Sequence, residues 1–365
     1  MKLSKILPLA IASVFALTLA STSNNIYACE KCKVSQEIGQ FEEQFITFKV
    51  SNESGQLEKQ FVTYKVSNAT DQLEEQFVTL KVANEAGELI EVEFPKDPER
   101  VVVLNLQTLD FLDAMGLGDK IVGVIKDGVF PDHLQKYIDN EDIVNVGGMK
   151  SLNMEAIESL EPDVIFSSDR TKSKYQDLSA IAPTMAAFID YEAGFMNSFR
   201  TLAKNHTAIF NTGDKAKQII ADYQARIQKI AEFAEGKTAL LGIFTSKLNT
   251  LGDTSRCSII VNEMNFNNLA ADENPDHANL SAYESWLKYD PEYMFILDKN
   301  AAVGAEAVSA QEQIETNNPL IEQTQAYKNN KIIYLTPGNI WYMADGGITG
   351  MDSMISCIEE ALGLK

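Results

Sequence analysis

One long amphipathic helix between two stretches of alternating strands and helices constrains the fold of this chain most strongly. Residues 213–235 carry apolar side chains at helical spacing, at Ile219, Ile220, Tyr223, Ile227, Ile230 and Phe233. Asn211 or Thr212 can cap the start of this helix, and Gly236 can end it. A helix of this length spans about 34 Å at ~1.5 Å per residue, which suits a rigid connector.

Both stretches that flank this helix have the pattern of α/β lobes. Strand-like segments rich in apolar residues begin at residues 101, 120 and 164 before the helix, and at residues 239, 293 and 331 after it. Helical segments separate them, and alternation of this kind predicts βαβ units around a parallel sheet. The predicted fold class is therefore α/β: two Rossmann-like lobes joined by one long α-helix, preceded by a β-rich N-terminal repeat segment.

The net charge excludes some classes of partner. The chain has 31 Lys and Arg against 52 Asp and Glu, a formal charge of −21. Nucleic acid is disfavoured because its phosphates need clustered cations, and docking on anionic lipid is disfavoured for the same reason. A small anionic ligand is compatible with this charge if a local basic pocket overrides the global field.

The first 28 residues have the composition of a secretory signal. Lys2 and Lys5 supply the positive start, and the apolar run over residues 6–20 is too short for a comfortable membrane span. Small residues at Ala20 and Ala28 stand at cleavage spacing. We therefore expect export to the periplasm with cleavage of the signal peptide.

The cysteines leave anchoring and disulfide pairing open. The sequence IYAC at residues 26–29 loosely resembles a lipobox, so a lipoprotein anchored at Cys29 is the alternative to ordinary secretion. Cys29 and Cys32 could close a small disulfide loop in an exported protein. The sequence does not decide whether Cys257 and Cys357 pair.

A tandem repeat follows the signal, with copies that start at residues 44, 60 and 76, a period of 16 residues. Each copy joins a β-rich hexapeptide to a polar turn, which predicts strand plus turn. Three copies this short do not make a solenoid domain. A duplicated surface hairpin is the favoured interpretation, and adhesion through the repeats is a separate hypothesis.

The plan of the chain is similar to that of helix-linked, class III substrate-binding proteins of ABC importers. The segment NMEAIESLEPDVI at residues 153–165 resembles the family's N-x-E-x-I-x-x-L-x-P-D-x-I pattern. The segments VGG at 146–148, IAPT at 181–184 and IYL at 333–335 fit the same family. The resemblance covers about residues 76–365.

The domain boundaries follow from this plan. Residues 1–28 form the signal peptide and residues 29–91 the repeat segment, whose third copy joins the first lobe. The N-terminal lobe then covers residues 92–212, the linking helix 213–235 and the C-terminal lobe 236–365.

Within the family the likeness is strongest to periplasmic binders of ferric catecholate siderophores. It rests on Ser255 and Arg256, His277, the LDK segment at 297–299 and the WY pair at 341–342. The resemblance implies a solute-binding component of an iron ABC transporter that captures a ferric catecholate siderophore between its lobes and delivers it to the permease. It implies no intrinsic cofactor, because ferric iron arrives as the siderophore chelate.

A polyanionic chelate requires cations in the cleft, because burying unpaired charge is costly. Arg170, Arg256 and Lys299 are each interpreted as standing beside a strand end, where open α/β sheets bind ligands. One comes from the first lobe and two from the second, so we expect them to converge on the cleft. A surface cation in an acidic protein is the alternative for any one of them.

Direct contact with iron is expected if the siderophore supplies only four oxygens. In the catecholate-binding relatives a His and a Tyr fill the two open positions, and His277 and Tyr342 match them here. Trp341 is expected to line the cleft as an aromatic wall, with core packing as the alternative for Trp341 and Tyr342. His133 and His206 lack such support and are interpreted as structural.

Docking on the permease is implied by the same resemblance. In relatives one carboxylate at the tip of each lobe pairs with permease arginines, and Glu155 and Glu284 match these positions. Each could equally be a first-turn Glu that favours the helix dipole. The expected partners are the siderophore and the permease, without nucleic acid, and we expect a monomer.

Two other functions compete with this prediction. Haem or cobalamin could bind the same scaffold, since haem propionates are also anionic. An enzyme is disfavoured because the sequence lacks G-x-S-x-G, G-x-x-x-x-G-K-[ST] and H-E-x-x-H motifs.

Overall fold

The computed structural model describes residues 76–272, 282–316 and 318–365, together with four short strands between residues 44 and 66. The chain divides into two compact units, Met1–Ala69 and Thr70–Lys365. In the first unit β1 (Gln44–Ile46) pairs with β4 (Tyr64–Val66), and β2 (Val50–Ser51) pairs with β3 (Leu57–Glu58). Both pairs are antiparallel.

The third repeat forms a complete hairpin at the start of the second unit. β5 (Phe77–Ala83) pairs with β6 (Leu89–Pro95) along its full length, with Ala83 opposite Leu89. The pair Ser51–Leu57 of the first repeat stands 32 residues earlier, which is two repeat periods. Beside the turn, the first and third copies therefore share one pairing register, as the strand-plus-turn prediction expects of those two copies.

The N-terminal lobe is built on a parallel five-stranded sheet in the order β13-β12-β7-β8-β9. Its strands are β7 (Val101–Val103), β8 (Ile121–Val124), β9 (Val144–Asn145), β12 (Val164–Ser167) and β13 (Thr184–Ala186); β10 (Gly147–Gly148) and β11 (Ser151–Leu152) form a separate hairpin. Its helices are α1 (Leu106–Met115), α2 (Gln135–Asp139), α3 (Met154–Ser159), α4 (Tyr175–Ile181) and α5 (Phe195–Phe210). Strands β7 and β12 are buried throughout, which explains their continuous apolar runs.

The long helix α6 (Gly213–Ala234) lies on the residues predicted for the connector. Tyr223, Ile227 and Ile230 on one face are buried, and the Tyr223 hydroxyl donates a hydrogen bond to the Ile348 carbonyl at 2.8 Å. Arg226 binds the Glu359 carboxylate at 2.7 Å. These contacts attach α6 to the last helix of the chain. The predicted boundaries of the lobes at either end of α6 stay predictions.

The C-terminal lobe has a second sheet in the order β15-β14-β17-β18, with β16 paired to β14. Its strands are β14 (Thr238–Phe244), β15 (Leu248–Leu251), β16 (Asn267–Asn268), β17 (Tyr293–Asp298) and β18 (Ile332–Tyr334). Its helices are α7 (Ile259–Asn262), α8 (Ala282–Tyr289), α9 (Lys299–Ala302), α10 (Ala310–Thr316), α11 (Gln325–Lys328), α12 (Gly338–Met343) and α13 (Ile348–Leu362). Strand β15 runs antiparallel to β14 because a short turn joins them, whereas the other pairings are parallel.

The apolar core covers both faces of both sheets. The largest cluster runs from the first lobe through α6 to the second lobe and includes Phe166, Ile230 and Phe295. Smaller clusters cover the opposite face of each sheet, around Ile165 in the first lobe and Trp286 in the second. The α/β class is therefore confirmed. Among the described residues no helix combines the length and apolar character needed to cross a bilayer.

Two carboxylates cap helices across the boundary between the lobes. Asp110 of α1 is fully buried and accepts hydrogen bonds from the Thr349 and Gly350 backbone N–H groups at 2.7 and 2.9 Å, at the start of α13. Glu263, just after α7, accepts one from the Met196 N–H at 3.0 Å, at the start of α5. A carboxylate is favourable at a helix N-terminus, so each lobe supplies a cap to the other.

Candidate ligand-binding cleft

The predicted site residues follow strand ends on the side where the lobes meet. Lys299 is the first residue of α9, directly after β17, and Tyr342 lies in α12 after β18. Arg256 lies in the loop between β15 and α7. Since carboxyl ends of parallel strands meet at one edge of a sheet, Lys299 and Tyr342 come together there. Strand β15 is antiparallel, so Arg256 joins them through the path of the loop that follows it.

Arg256 is the centre of the cluster. Its Nη1 donates hydrogen bonds to the Tyr342 carbonyl at 2.6 Å and to the Tyr191 hydroxyl at 3.2 Å. Its Cζ lies 4.5 Å from the centroid of the Tyr342 ring and 5.9 Å from that of Tyr191. The guanidinium thus has one aromatic neighbour from each lobe, with 28% of its side chain exposed.

Lys299 lies beside the same tyrosine. Its Nζ is 5.8 Å from the centroid of the Tyr342 ring. The structure therefore brings together Arg256, Lys299 and Tyr342, which are three of the predicted site residues. Two cations beside one phenol create a local positive field in a chain whose net charge is −21.

Asp345 lies behind Arg256 and is 2% exposed. Its carboxylate accepts a short hydrogen bond from the Tyr191 hydroxyl and a longer one from the Gln107 amide at 3.4 Å. One of its oxygens is 4.0 Å from Arg256 Nη1. Burial raises the pKa of this carboxyl, while Arg256 and the donated hydrogen bonds oppose the rise. Burial and the nearby Asp345 charge raise the pKa of the Tyr191 phenol well above its usual value.

Sequence reasoning missed Tyr191 and Asp345. Tyr191 lies in the connection between β13 and α5, outside any motif of the resemblance. A weak signal existed for Asp345, which is a carboxylate in an otherwise uncharged stretch over residues 338–351. The two contacting side chains are 154 residues apart in the sequence, so their contact is visible only in the folded structure.

The expectation that Trp341 forms an aromatic wall is wrong. Its side chain is 1% exposed and packs in the main core beside Ile340 and Ala344. Successive residues of a helix point about 100° apart at ~3.6 residues per turn. Since Trp341 and Tyr342 are adjacent in α12, one ring faces the core and the other faces Arg256 and Lys299.

Arg170 is exposed in the turn of 3-10 helix that follows β12. Its role in the site stays a prediction. His277 lies outside the described residues. Within the described part of the chain no three His, Cys, Asp or Glu side chains cluster as a metal site would.

Glu155 and Glu284 are both exposed in the first turn of a helix, α3 and α8 respectively. The Asn153 side chain caps α3 by accepting a hydrogen bond from the Ala156 N–H at 3.1 Å. Exposure suits a docking role and a dipole role equally, so the docking assignment stays a prediction.

The two histidines interpreted as structural have buried partners. His206 Nδ1 donates to the Leu202 carbonyl at 2.6 Å, and Nε2 accepts from the Thr108 hydroxyl at 2.9 Å. Burial lowers the pKa of His206 to about 4, so the ring is neutral. His133 Nε2 lies 2.9 Å from the Asp110 carboxylate.

Cys257 and Cys357 are free thiols in the structure. Cys257 is buried next to Arg256, and burial raises the pKa of its thiol. A buried neutral thiol is not a nucleophile. Cys29 and Cys32 lie outside the described residues.

Comparison with protein families agrees with this geometry. The sequence pattern of the periplasmic binding proteins matches residues 101–338, which include both sheets and α6. The chain belongs to the periplasmic binding protein family.

Relatives of this periplasmic binding protein are named for siderophores. The petrobactin-binding protein YclQ of Bacillus subtilis is 32% identical over 274 residues, which are 73% of this chain and 84% of YclQ. The ferric-anguibactin-binding protein FatB of Vibrio anguillarum is 28% identical over 269 residues, which are 72% of this chain and 81% of FatB.

Solved structures show the same architecture. The crystal structure of YclQ superposes with a TM-score of 0.70 at 29% identity, over 78% of this chain and 98% of YclQ. The periplasmic catecholate-siderophore binding protein VctP of Vibrio cholerae gives a TM-score of 0.70 at 25% identity, over 78% and 100%. These relatives are binding proteins and not enzymes, which sets the enzyme alternative aside.

Proposed function

We propose that this periplasmic binding protein is the solute-binding component of an ABC iron importer and captures a ferric catecholate siderophore between its lobes. The observation that carries the proposal is that Arg256 and Lys299 both lie beside the ring of Tyr342, 4.5 and 5.8 Å from its centroid. A catecholate complex is polyanionic, and this cluster supplies cations in a chain that is otherwise acidic.

Each site residue has a distinct role in this proposal. The Arg256 guanidinium can present parallel N–H groups to paired catecholate oxygens, and Lys299 acts as a point charge. Arg170 would add a cation from the first lobe. Tyr342 and His277 would complete the coordination of Fe³⁺ when the siderophore supplies four oxygens. The names of YclQ, FatB and VctP support a siderophore substrate, and the VctP name supports a catecholate.

Delivery requires export and a permease. The signal over residues 1–28 supports export, either as a free periplasmic protein or as a lipoprotein anchored at Cys29. Glu155 and Glu284 are the proposed contacts with permease arginines, and both are exposed. The protein would act as a monomer, with the siderophore and the permease as its partners.

A titration of tryptophan fluorescence tests the proposal. Trp286 and Trp341 are both buried, and Trp341 is adjacent to the proposed ligand residue Tyr342. Ferric bis-catecholamide and ferric tris-catecholamide complexes should quench this fluorescence saturably, with haem and cobalamin as comparison ligands. Saturable binding of haem or cobalamin with no response to either ferric complex would reject the proposal in favour of that ligand.

A further inference from the structure

A buried carboxylate at the back of a site for anions needs an explanation. Asp345 is 2% exposed and lies 4.0 Å from the guanidinium that would hold the ligand. A negative charge in that position repels an anionic ligand, and it also competes for Arg256. The carboxylate is nonetheless held in place by Tyr191 and Gln107 of the other lobe.

We propose that Asp345 is the internal counter-ion of Arg256, and that an anionic chelate takes over the Arg256 charge while the Asp345 carboxylate binds a proton from solvent. The proposal rests on the function proposed above and specifies how the same site is regulated. In the free protein the pair is Asp345⁻ and Arg256⁺. In the complex the ligand is paired with Arg256⁺, and Asp345 is a neutral carboxylic acid.

The charges around Asp345 support this exchange. The titratable groups that face it are Tyr191 from the β13–α5 connection and Arg256 and Cys257 from the β15–α7 loop, while Gln107 of α1 is uncharged. Burial raises the pKa of both Tyr191 and Cys257, so each is neutral. Among the described neighbours Arg256 is therefore the cation that compensates Asp345. Once a ligand neutralises it, the buried carboxylate has no other counter-charge.

The sign of the pH effect follows from linkage. Burial already raises the pKa of Asp345 in the free protein, and an added anion raises it further in the complex. At a pH between the pKa of Asp345 in the free protein and its pKa in the complex, binding takes up a proton, so affinity increases as pH falls. The affinity changes by at most about tenfold per pH unit, since one proton is exchanged.

Isothermal titration calorimetry with a ferric tris-catecholamide complex tests the proposal, because three catecholates fill the iron positions and leave none for the protein. Titrations from about pH 5.5 to about pH 8, in buffers of different ionisation enthalpy, should show proton uptake by the wild type. Asp345→Asn should bind without that uptake. Its affinity should stay near the wild-type value at the acidic end and exceed the wild-type value at the alkaline end.

Glu263→Gln is the matched control. Glu263 is a partly buried carboxyl whose pKa is likewise raised by burial, and it too bridges the lobes, but it caps α5 instead of facing Arg256. This variant should keep the wild-type proton uptake. Equal uptake by the wild type and Asp345→Asn would overturn the inference while leaving the proposed function intact. Absence of wild-type binding at every pH would overturn both.

Tyr191→Phe keeps the proposal falsifiable if Asp345→Asn does not fold. Removing the hydroxyl removes a hydrogen bond that favours the ionised carboxylate. Proton uptake should then persist and move to higher pH. A profile identical to that of the wild type would contradict the role of Asp345.

Discussion

At the scale of single residues, the Tyr342 ring is the point where two cations meet. Arg256 reaches it from the β15–α7 loop and Lys299 from the start of α9, and Arg256 is further fixed by a hydrogen bond to the Tyr342 carbonyl. Charge-assisted contacts of this kind are strong when they are shielded from water. Substitutions at these residues therefore separate the contributions of charge and of iron coordination.

Arg256→Gln and Lys299→Gln should both weaken binding of ferric tris-catecholamide. We expect a loss of about 10- to 100-fold for Arg256, whose guanidinium is positioned by two hydrogen bonds, and about 3- to 10-fold for Lys299. Fluorescence quenching measures both. Lys328→Gln, an exposed cation of α11 in the same lobe, is the control and should bind like the wild type. Equal affinities for all four proteins would contradict a cationic site.

Tyr342→Phe should distinguish coordination from packing. If the phenolate binds iron, the variant should lose affinity for the four-donor bis-catecholamide complex by about tenfold or more and retain the six-donor complex. His277→Ala should behave in the same way. Visible absorbance of the bound four-donor complex should also lose its phenolate-to-iron band in Tyr342→Phe. Unchanged binding and absorbance would remove iron coordination from the proposal.

His206 should make stability depend on pH. Its pKa is about 4 in the folded protein, below the usual 6.5, because burial disfavours the charged ring. The unfolded chain therefore binds the proton first, and the free energy of unfolding falls as pH decreases from 6.5 towards 4. The expected loss is about 2 kcal/mol between pH 7 and pH 5. Urea unfolding at both pH values measures it, and His206→Gln should reduce the difference.

At the scale of secondary-structure elements, the local sequence predicted those elements correctly whose type and position depend on side-chain periodicity. The connector helix and the buried parallel strands follow from such signals. Strand β15 was missed because its pairing depends on a turn and on the neighbouring strand. The α12 helix was missed too, and with it the reason why Trp341 and Tyr342 face different surroundings.

The repeat hairpins give a prediction at this scale. The third hairpin has a complete ladder of its own in β5 and β6. Deletion of residues 44–75 should therefore change affinity for ferric tris-catecholamide by less than about twofold, because no proposed site residue lies there. Calorimetry measures affinity, and a separate assay of surface attachment tests adhesion. A large loss of affinity would show that the repeats take part in binding.

At the scale of the whole second unit, reciprocal caps join the lobes. Asp110 stabilises the start of α13, and Glu263 stabilises the start of α5. Gly347 allows this approach, since a Cβ there would collide with the Asp110 side chain. These polar contacts accompany the shared apolar cluster, so relative motion of the lobes has to break both.

Asp110→Asn should therefore lower the free energy of unfolding by about 1–2 kcal/mol, because the variant loses charge at a buried helix N-terminus. Thermal unfolding measures the change. Asp113→Asn, on the same helix but outside the α13 contact, is the control and should have a smaller effect. A variant as stable as the wild type would show that the cap does not hold the lobes.

The sequence by itself determined the two α/β lobes, the connector helix and the position of Lys299 beyond a strand end. These features depend on side-chain periodicity and on the residue that follows each strand, and both are local properties. Only the tertiary structure decided that Trp341 is core, that Tyr191 and Asp345 meet behind Arg256, and that Asp110 and Glu263 cap helices of the opposite lobe. Those contacts join residues that are far apart in sequence, so they exist only once the lobes pack together.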